Sequence, residues 1–314
     1  MKGAKVNIQS CSFMFFCANY EAFNTFVFRI TGIKIYSILH QIITGDEMVY
    51  FYYIFIISGL IYIFWYLLKP DNFHFFIRNK CTANFNNEED KTYRKLLIDN
   101  FIVYKLLGEK GRKLFEKRVC KFIEMKDFRA GRNIPEITDE MRIMIAGSAI
   151  QITYGYPNVY FQHFQTIILF AEEYYSTITG QYHEGEVNAG GAIVLSWKNF
   201  ISGYSDLTDG RNLALHEMAH ALQLTNIVDN EEYDFIDRAT MQSFEESGLT
   251  EMEKIANNEN SFFRAYGAAN LQEFFSVAVE CFFEQPKEFQ SYNPELYLLL
   301  TRILKIDLLN FGKR

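Results

Sequence analysis

The chain has 314 residues, enough for one sizeable domain with an appendage or for two small domains. Its hydrophobic share of 49% and aromatic share of 17% indicate a packed core and exclude a disordered protein. The net charge is −7, without a run of lysines or arginines or a nucleic-acid-binding motif, so binding of DNA or RNA is not expected. The five cysteines are scattered and odd in number, which predicts reduced thiols and neither a disulfide framework nor a cysteine zinc site.

The first distinct element is an apolar segment at residues 48–68. Residues 1–47 before it show no clear period and no signal-peptide pattern, and one hypothesis is that they precede the natural start at Met48. Residues 48–68 carry no charge, and a helix of this length spans about 30 Å, the thickness of the bilayer core. Tyrosines lie at one end, and Trp65 and Tyr66 at the other, as in interfacial belts. We therefore predict a transmembrane helix.

The charges that flank this segment predict its orientation. Lys69, Arg78 and Lys80 follow the segment, whereas Asp46 and Glu47 precede it. The positive-inside rule then places the C-terminal part in the cytoplasm, which agrees with the unpaired cysteines. The chain is thus predicted to be a single-pass membrane protein whose C-terminal domain faces the cytoplasm. Polar residues 69–90 are predicted to be a linker, and residues 91–314 the folded C-terminal domain.

Helical periodicity begins directly after the predicted linker. Residues 91–107 and 111–125 each repeat apolar side chains at the spacing of a buried helix face. Thr138 is the predicted N-cap of a third helix that reaches Ile152, with two acidic residues in its first turn. The domain is therefore expected to be rich in helices.

Two later segments are candidates for strands. Tyr160–Phe170 ends in a continuous apolar run and is interpreted as a strand or a buried segment. Gly190–Trp197 is the clearest strand, with glycines at its entry. An edge strand can hold a peptide by main-chain pairing, so we place a peptide substrate along Ile193–Ser196; the alternative is a purely structural strand.

The segment His216-Glu217-Met218-Ala219-His220 contains the residues on which the predicted chemistry depends. In a helix, His216 and His220 project from one face and can share a tetrahedral Zn²⁺. Glu217 lies beside this face, where a general base for a zinc-bound water is needed. The alternative is a solvated helix face, but the helix is apolar on more than one side, and two buried histidines with a glutamate need a partner such as a metal. Asp209 and Asn212 are both candidates for its N-cap.

A third ligand is needed, and it is sought in a predicted helix at Tyr266–Phe283, ended by Pro286. Asn270 can cap this helix, and Glu273 stands in the capping-box position, which is the structural alternative to a ligand role. Glu280, two turns further on, could be a ligand, a hydrogen-bond partner of a ligating histidine, or a core charge paired elsewhere.

Taken together, these segments resemble the Mlc titration factor family of zinc peptidases, whose fold is related to the catalytic domain of anthrax lethal factor. The similarity covers residues 90–290 and involves Val194–Trp197, Asp209–His220 and Glu273–Phe283. One departure is Gln223-Leu224-Thr225, where many relatives carry an aspartate.

The resemblance implies a role for each motif residue. His216, His220 and Glu273 would bind one Zn²⁺ per chain, and Glu217 would be the general base. Tyr266, seven residues before Glu273, would donate its hydroxyl to the developing oxyanion.

The predicted fold is α+β, a zincin-like metallopeptidase domain behind an N-terminal transmembrane helix. The predicted activity is zinc-dependent hydrolysis of peptide bonds in a peptide or protein substrate. The alternative is a regulatory binding protein that sequesters a transcriptional repressor, the role for which titration factors are named. Retention of Glu217 favours catalysis, because a binding protein has no need of a base. A purely structural zinc site is less favoured, because such sites usually have four protein ligands.

Overall fold

The computed structural model describes residues 55–62, 89–176 and 179–311. The chain divides into two units, residues 1–76 and residues 77–314. Residues 55–62 of the first unit are helical and expose apolar side chains. No helix among the described residues is long and apolar enough to cross a membrane. The remainder of the predicted span 48–68, residues 1–47 and residues 69–88 lie outside the described residues, so the transmembrane helix, the linker and the start at Met48 stay predictions.

The second unit combines helices and strands, in agreement with the predicted α+β class. Its helices are α1 (Glu89–Asn100), α2 (Ile102–Leu106), α3 (Glu109–Met125), α4 (Asp139–Ile152), α5 (Trp197–Ser202), α6 (Leu213–Ile227), α7 (Arg238–Ala256), α8 (Leu271–Glu284), α9 (Pro286–Tyr292) and α10 (Pro294–Leu304). Its strands are β1 (Asp127–Ala130), β2 (Thr166–Phe170), β3 (Tyr174–Ser176), β4 (Gln181–His183), β5 (Gly185–Asn188) and β6 (Ala192–Ser196). A 3₁₀ turn at Ala265–Ala268 precedes α8.

Four strands form one sheet in the order β1-β2-β6-β5. The first three are parallel, and β5 runs antiparallel to β6, with Gly185 opposite Leu195. The strands β3 and β4 form a separate antiparallel hairpin. The prediction that substrate pairs with Ile193–Ser196 is therefore wrong, because β6 already pairs with β2 on one side and β5 on the other. The edge strands of the described sheet are β1 and β5.

Helix α4 lies at the centre of the helical layer. All of its residues from Ile143 to Ile152 are buried, because it packs against α3 on one side and α6 on another. Helix α6 in turn packs against α8 and against β5. This arrangement brings the helix that carries His216 and the helix that carries Glu273 together beside the edge of the sheet.

The helix caps form as their residue types predict. The side-chain oxygen of Thr138 accepts a hydrogen bond from Met141 N at the start of α4. Of the two candidates for the start of α6, Asn212 is the cap, and it accepts from Leu215 N at 3.1 Å. Local side-chain chemistry therefore determines where these helices begin.

Two predicted elements are interrupted in the structure. The helix predicted at 91–107 breaks at Phe101, whose extended backbone buries its ring between Phe115 and Tyr204. Within Tyr160–Phe170 only β2 is a strand. Phe161, before it, takes a left-handed conformation with φ of 56°, and both Phe161 and Phe164 are buried, as the alternative of a buried segment predicts. The helix sought in Tyr266–Phe283 begins at Leu271, as its predicted cap Asn270 requires, and Tyr266 lies on the 3₁₀ turn before it. Tertiary packing thus overrides the periodicity at these places.

Candidate metal centre

Helices α6 and α8 bring three ligand types together. The Nε2 atoms of His216 and His220, one helical turn apart on α6, lie 3.1 Å from each other. From α8, Glu273 Oε2 lies 2.9 Å from His216 Nε2 and 3.4 Å from His220 Nε2. Among the described residues these three form the one group of His, Cys, Asp or Glu side chains that could hold a metal ion, with ligand atoms within 4.8 Å of one another.

This donor set fits a tetrahedral metal. Ligand bonds of 2.0–2.2 Å place the donor atoms of a tetrahedral zinc site about 3.4 Å apart, close to the separations of His216, His220 and Glu273. Three electron-pair donors at such distances repel one another unless protons or a cation lie between them. Two imidazoles and one carboxylate also leave one position open, as in catalytic zinc sites.

Glu273 does not form the capping box that its position allowed. Its backbone N–H donates to Asn270 Oδ1 at 3.0 Å, which confirms Asn270 as the cap of α8. Its carboxylate, however, turns to the two histidines. The position three residues after the cap therefore places a carboxylate of the first turn at the metal centre.

Glu280 is the hydrogen-bond partner of a candidate ligand. Its Oε1 lies 2.8 Å from Nδ1 of His216, and its side chain is 1% exposed. An N–H at Nδ1 that donates to this carboxylate leaves the lone pair of Nε2 for a metal. Of the three alternatives that the sequence allows for Glu280, the structure shows two together, the partner of His216 and a core charge paired with a distant cation, Arg264.

Arg264 holds Glu280 in place and was not found from the sequence. Its guanidinium donates to both carboxylate oxygens of Glu280 at 2.8 Å. The backbone N–H of Asn212 donates to Oε2 of Glu280 at 2.6 Å. A buried carboxylate on an apolar helix requires such partners, but the sequence does not indicate which cation supplies the charge.

The second histidine is held by a serine. Oγ of Ser276 lies 3.2 Å from Nδ1 of His220. In the segment where relatives carry an aspartate, Gln223 Oε1 and Thr225 Oγ1 are buried and have no hydrogen-bond partner among the described residues. Ser276, one turn after Glu273 on α8, is thus the side chain that meets the second nitrogen of His220.

The charges at this centre favour a cation. Burial opposes protonation of His216, but hydrogen bonds to Glu273 and Glu280 outweigh it and raise its pKa to about 9. Burial alone would raise the pKa of Glu273, but its hydrogen bonds to His216 and His220 hold that pKa far below its usual range. Without metal the group therefore attracts protons, and a divalent cation can replace them.

Glu217 lies beside the ligand atoms and is 5% exposed. Its carboxylate makes no hydrogen bond with the described part of the chain. Burial raises its pKa to about 7, although positive charge on His216 and His220 acts in the opposite direction. A carboxylate with this pKa can both accept and release a proton near neutral pH.

Tyr266 lies on the 3₁₀ turn at the rim of the centre. Its ring centroid is 5.8 Å from that of His216, and the residue is 52% exposed. Partial burial, together with the negative charges of Glu273 and Glu217, raises its pKa. The phenol therefore remains protonated at neutral pH and can donate a hydrogen bond to a bound ligand.

Gly185 brings the edge strand against the candidate base, which the sequence analysis also missed. A Cβ at this first residue of β5 would lie 2.5 Å from Oε1 of Glu217. A lone glycine between Glu184 and Glu186 is the sequence feature that could have indicated this close approach. The backbone of Gly185 thus borders the centre, and a side chain at this position would displace the carboxylate of Glu217.

Substitution Gly185→Ala tests this contact. The added methyl is expected to displace the Glu217 carboxylate, lowering kcat for peptide hydrolysis by roughly 10-fold or more, since proton transfer depends on the position of the base. Metal content and Tm should stay near those of the parent. The control is Gly108→Ala at the start of α3, where an added methyl meets no atom within 4 Å. Unchanged kcat in Gly185→Ala would contradict the assignment.

Comparison with known proteins agrees with this geometry. Residues 77–305 match the family described as glucose-regulated metallo-peptidase M90. An uncharacterized protein of Synechocystis sp. is 26% identical over 226 residues, which cover 67% of this chain and 82% of that protein. The resemblance to the Mlc titration factor family is thereby confirmed. The chain belongs to the M90 family of glucose-regulated metallo-peptidases.

Proposed function

We propose that this protein is a membrane-anchored, zinc-dependent peptidase that hydrolyses peptide bonds. The observation that carries the proposal is the convergence of the ligand atoms of His216, His220 and Glu273 within 4.8 Å, next to the buried carboxylate of Glu217. Membership of a metallopeptidase family supports the reaction class. The two imidazoles and one carboxylate make zinc the favoured metal.

Zinc bound at this centre would supply Lewis-acid chemistry, acidifying a water and polarising the scissile carbonyl. Glu217 accepts the proton of the attacking water and transfers it to the leaving amine. Tyr266 donates its hydroxyl to the oxygen on which negative charge develops. Glu280, held by Arg264, keeps His216 in the tautomer that a ligand requires.

The substrate peptide is proposed to pair with β5. This strand pairs with β6 alone among the described strands, so its other edge keeps main-chain donors and acceptors for an extended peptide. The contact between Gly185 and Glu217 links this edge to the base. A peptide added there would run antiparallel or parallel to β5 with its backbone beside the reacting centre.

The anchor is proposed to be residues 48–68, on the evidence of their uncharged composition and flanking charges. In that arrangement the peptidase domain would act in the cytoplasm, near the membrane surface.

Metal content of the full-length protein, measured beside that of His216→Ala, tests the proposed function. We expect about one zinc per chain in the parent and little in the variant, together with loss of hydrolysis of an unfolded protein such as casein. The control His163→Ala removes a histidine that lies outside the ligand group and should keep both properties. Zinc without hydrolysis in the parent would favour the regulatory binding role, and absence of zinc would refute the metal site.

A further inference from the structure

Charge is distributed very unevenly along the chain. Residues 91–132 contain 13 lysines and arginines but 5 aspartates and glutamates, whereas residues 133–314 contain 11 and 26. The net charge of −7 therefore combines a strongly basic part and a strongly acidic part. The basic part comprises α1, α2, α3 and β1.

Helix α3 presents its lysines on one side. Lys110, Lys113, Lys117 and Lys121 are exposed and recur every three or four residues, so they follow one face of the helix. The opposite face is buried through residues such as Phe115. Cations are therefore gathered on the solvent side of α3.

Helix α1 extends this surface. An ion pair between Arg94 Nε and Glu116 Oε1, at 3.0 Å, joins α1 to α3. Lys91 and Lys95 are exposed on α1, four residues apart. We define the basic face as the exposed lysines of both helices: Lys91, Lys95, Lys110, Lys113, Lys117 and Lys121.

On α3, few of these lysines are paired with an acidic side chain of the described residues. Lys113 pairs with the exposed Glu109 at 2.8 Å, and the ammonium of Lys121 lies 4.3 Å from the centroid of the Tyr160 ring. Lys110 and Lys117 have no acidic partner among the described residues. In the middle of the row, Leu114 is 48% exposed. Unpaired cations around an exposed leucine are typical of helices that lie on anionic membranes.

We propose that the basic face docks on an anionic lipid surface. Its charge is complementary to acidic headgroups, Leu114 can enter the interface, and the acidic remainder of the chain would be repelled, which defines one orientation. The predicted membrane span ends 20 residues before α1, so the connecting segment reaches at most roughly 70 Å even when extended. Helix α4 separates α3 from α6, so docking leaves the metal centre uncovered.

Lysine acetylation of the full-length protein, followed by mass spectrometry, tests this proposal. The protein is mixed with neutral phosphatidylcholine vesicles or with vesicles that contain about 30% phosphatidylglycerol. Acetylation of Lys110 and Lys117 should slow at least about threefold with anionic vesicles and should not slow with neutral ones. The effect should disappear at about 0.5 M salt. Lys198 on α5, also exposed, is the internal control.

A charge-reversed pair of variants makes the test specific. Lys110→Glu combined with Lys117→Glu should weaken binding roughly 25-fold or more, because each lysine near an anionic surface contributes roughly fivefold, and protection of Lys121 should be lost. Lys198→Glu combined with Lys287→Glu makes the same charge change elsewhere on the domain. This control should keep both vesicle binding and the protection of Lys121. Equal acetylation of Lys110 and Lys117 on both vesicle types would overturn the proposal, and so would loss of vesicle binding in both double variants. Either result would favour an acidic protein as the partner of the basic face.

Discussion

Glu217→Gln is expected to abolish detectable peptide hydrolysis while the protein keeps its metal. Glutamine preserves the size of the side chain but cannot accept a proton, and loss of a general base typically costs about 10²–10⁴-fold in rate. Glu217 lies beside the ligand atoms and is not one of the group that can hold the metal. The measurement is kcat for hydrolysis of an unfolded protein, together with metal content.

The control for this substitution is Glu186→Gln. Glu186 follows Gly185 on β5, and its charge, like that of Glu217, acts on the buried Tyr174 hydroxyl, so the control removes a carboxylate from the same neighbourhood. Turnover of this control should stay within about threefold of the parent, because no proton transfer is assigned to it. Comparable turnover in Glu217→Gln and the parent would remove Glu217 as the base.

Glu273→Ala is expected to weaken metal binding far more than Glu280→Ala does. Removal of Glu273 deletes one of three ligand atoms, whereas Glu280 acts through Nδ1 of His216. Substitution of such an outer partner costs about 10–100-fold in metal affinity, so Glu273→Ala should lose more than about 100-fold. The measurement is the Kd for zinc in competition with a chelator.

Two further variants separate ligation from folding. Glu280→Ala leaves the guanidinium of Arg264 without its carboxylate, so it should lower Tm as well as metal affinity. Glu280→Gln keeps an oxygen that accepts from His216 and should recover part of both losses. If Glu280→Ala proved to be the more severe substitution for metal binding, Glu280 would be reassigned as the third ligand.

Several features of this protein follow from the sequence alone because they depend on neighbouring residues. The four-residue spacing of His216 and His220 places them one helical turn apart, and in the structure their Nε2 atoms lie 3.1 Å from each other. Thr138 and Asn270 begin helices because their side chains satisfy free backbone N–H groups within three residues. The family resemblance rested on the same short segments, and the match over residues 77–305 confirms it.

Other features were decided by contacts between distant parts of the chain. The sequence left Glu280 open, and α6 packing on α8 places it on His216, with Arg264 supplying the charge that burial requires. The clearest strand, β6, proved to be internal, so the edge beside the base is the short β5.

The order of strands and the partners of buried charges depend on residues far apart in sequence, so no local period encodes them. The basic face has a mixed origin. The lysines of α3 recur every three or four residues, which the sequence shows, but only the fold joins α3 to α1 through the ion pair of Arg94 with Glu116 and turns the lysines of both helices outward.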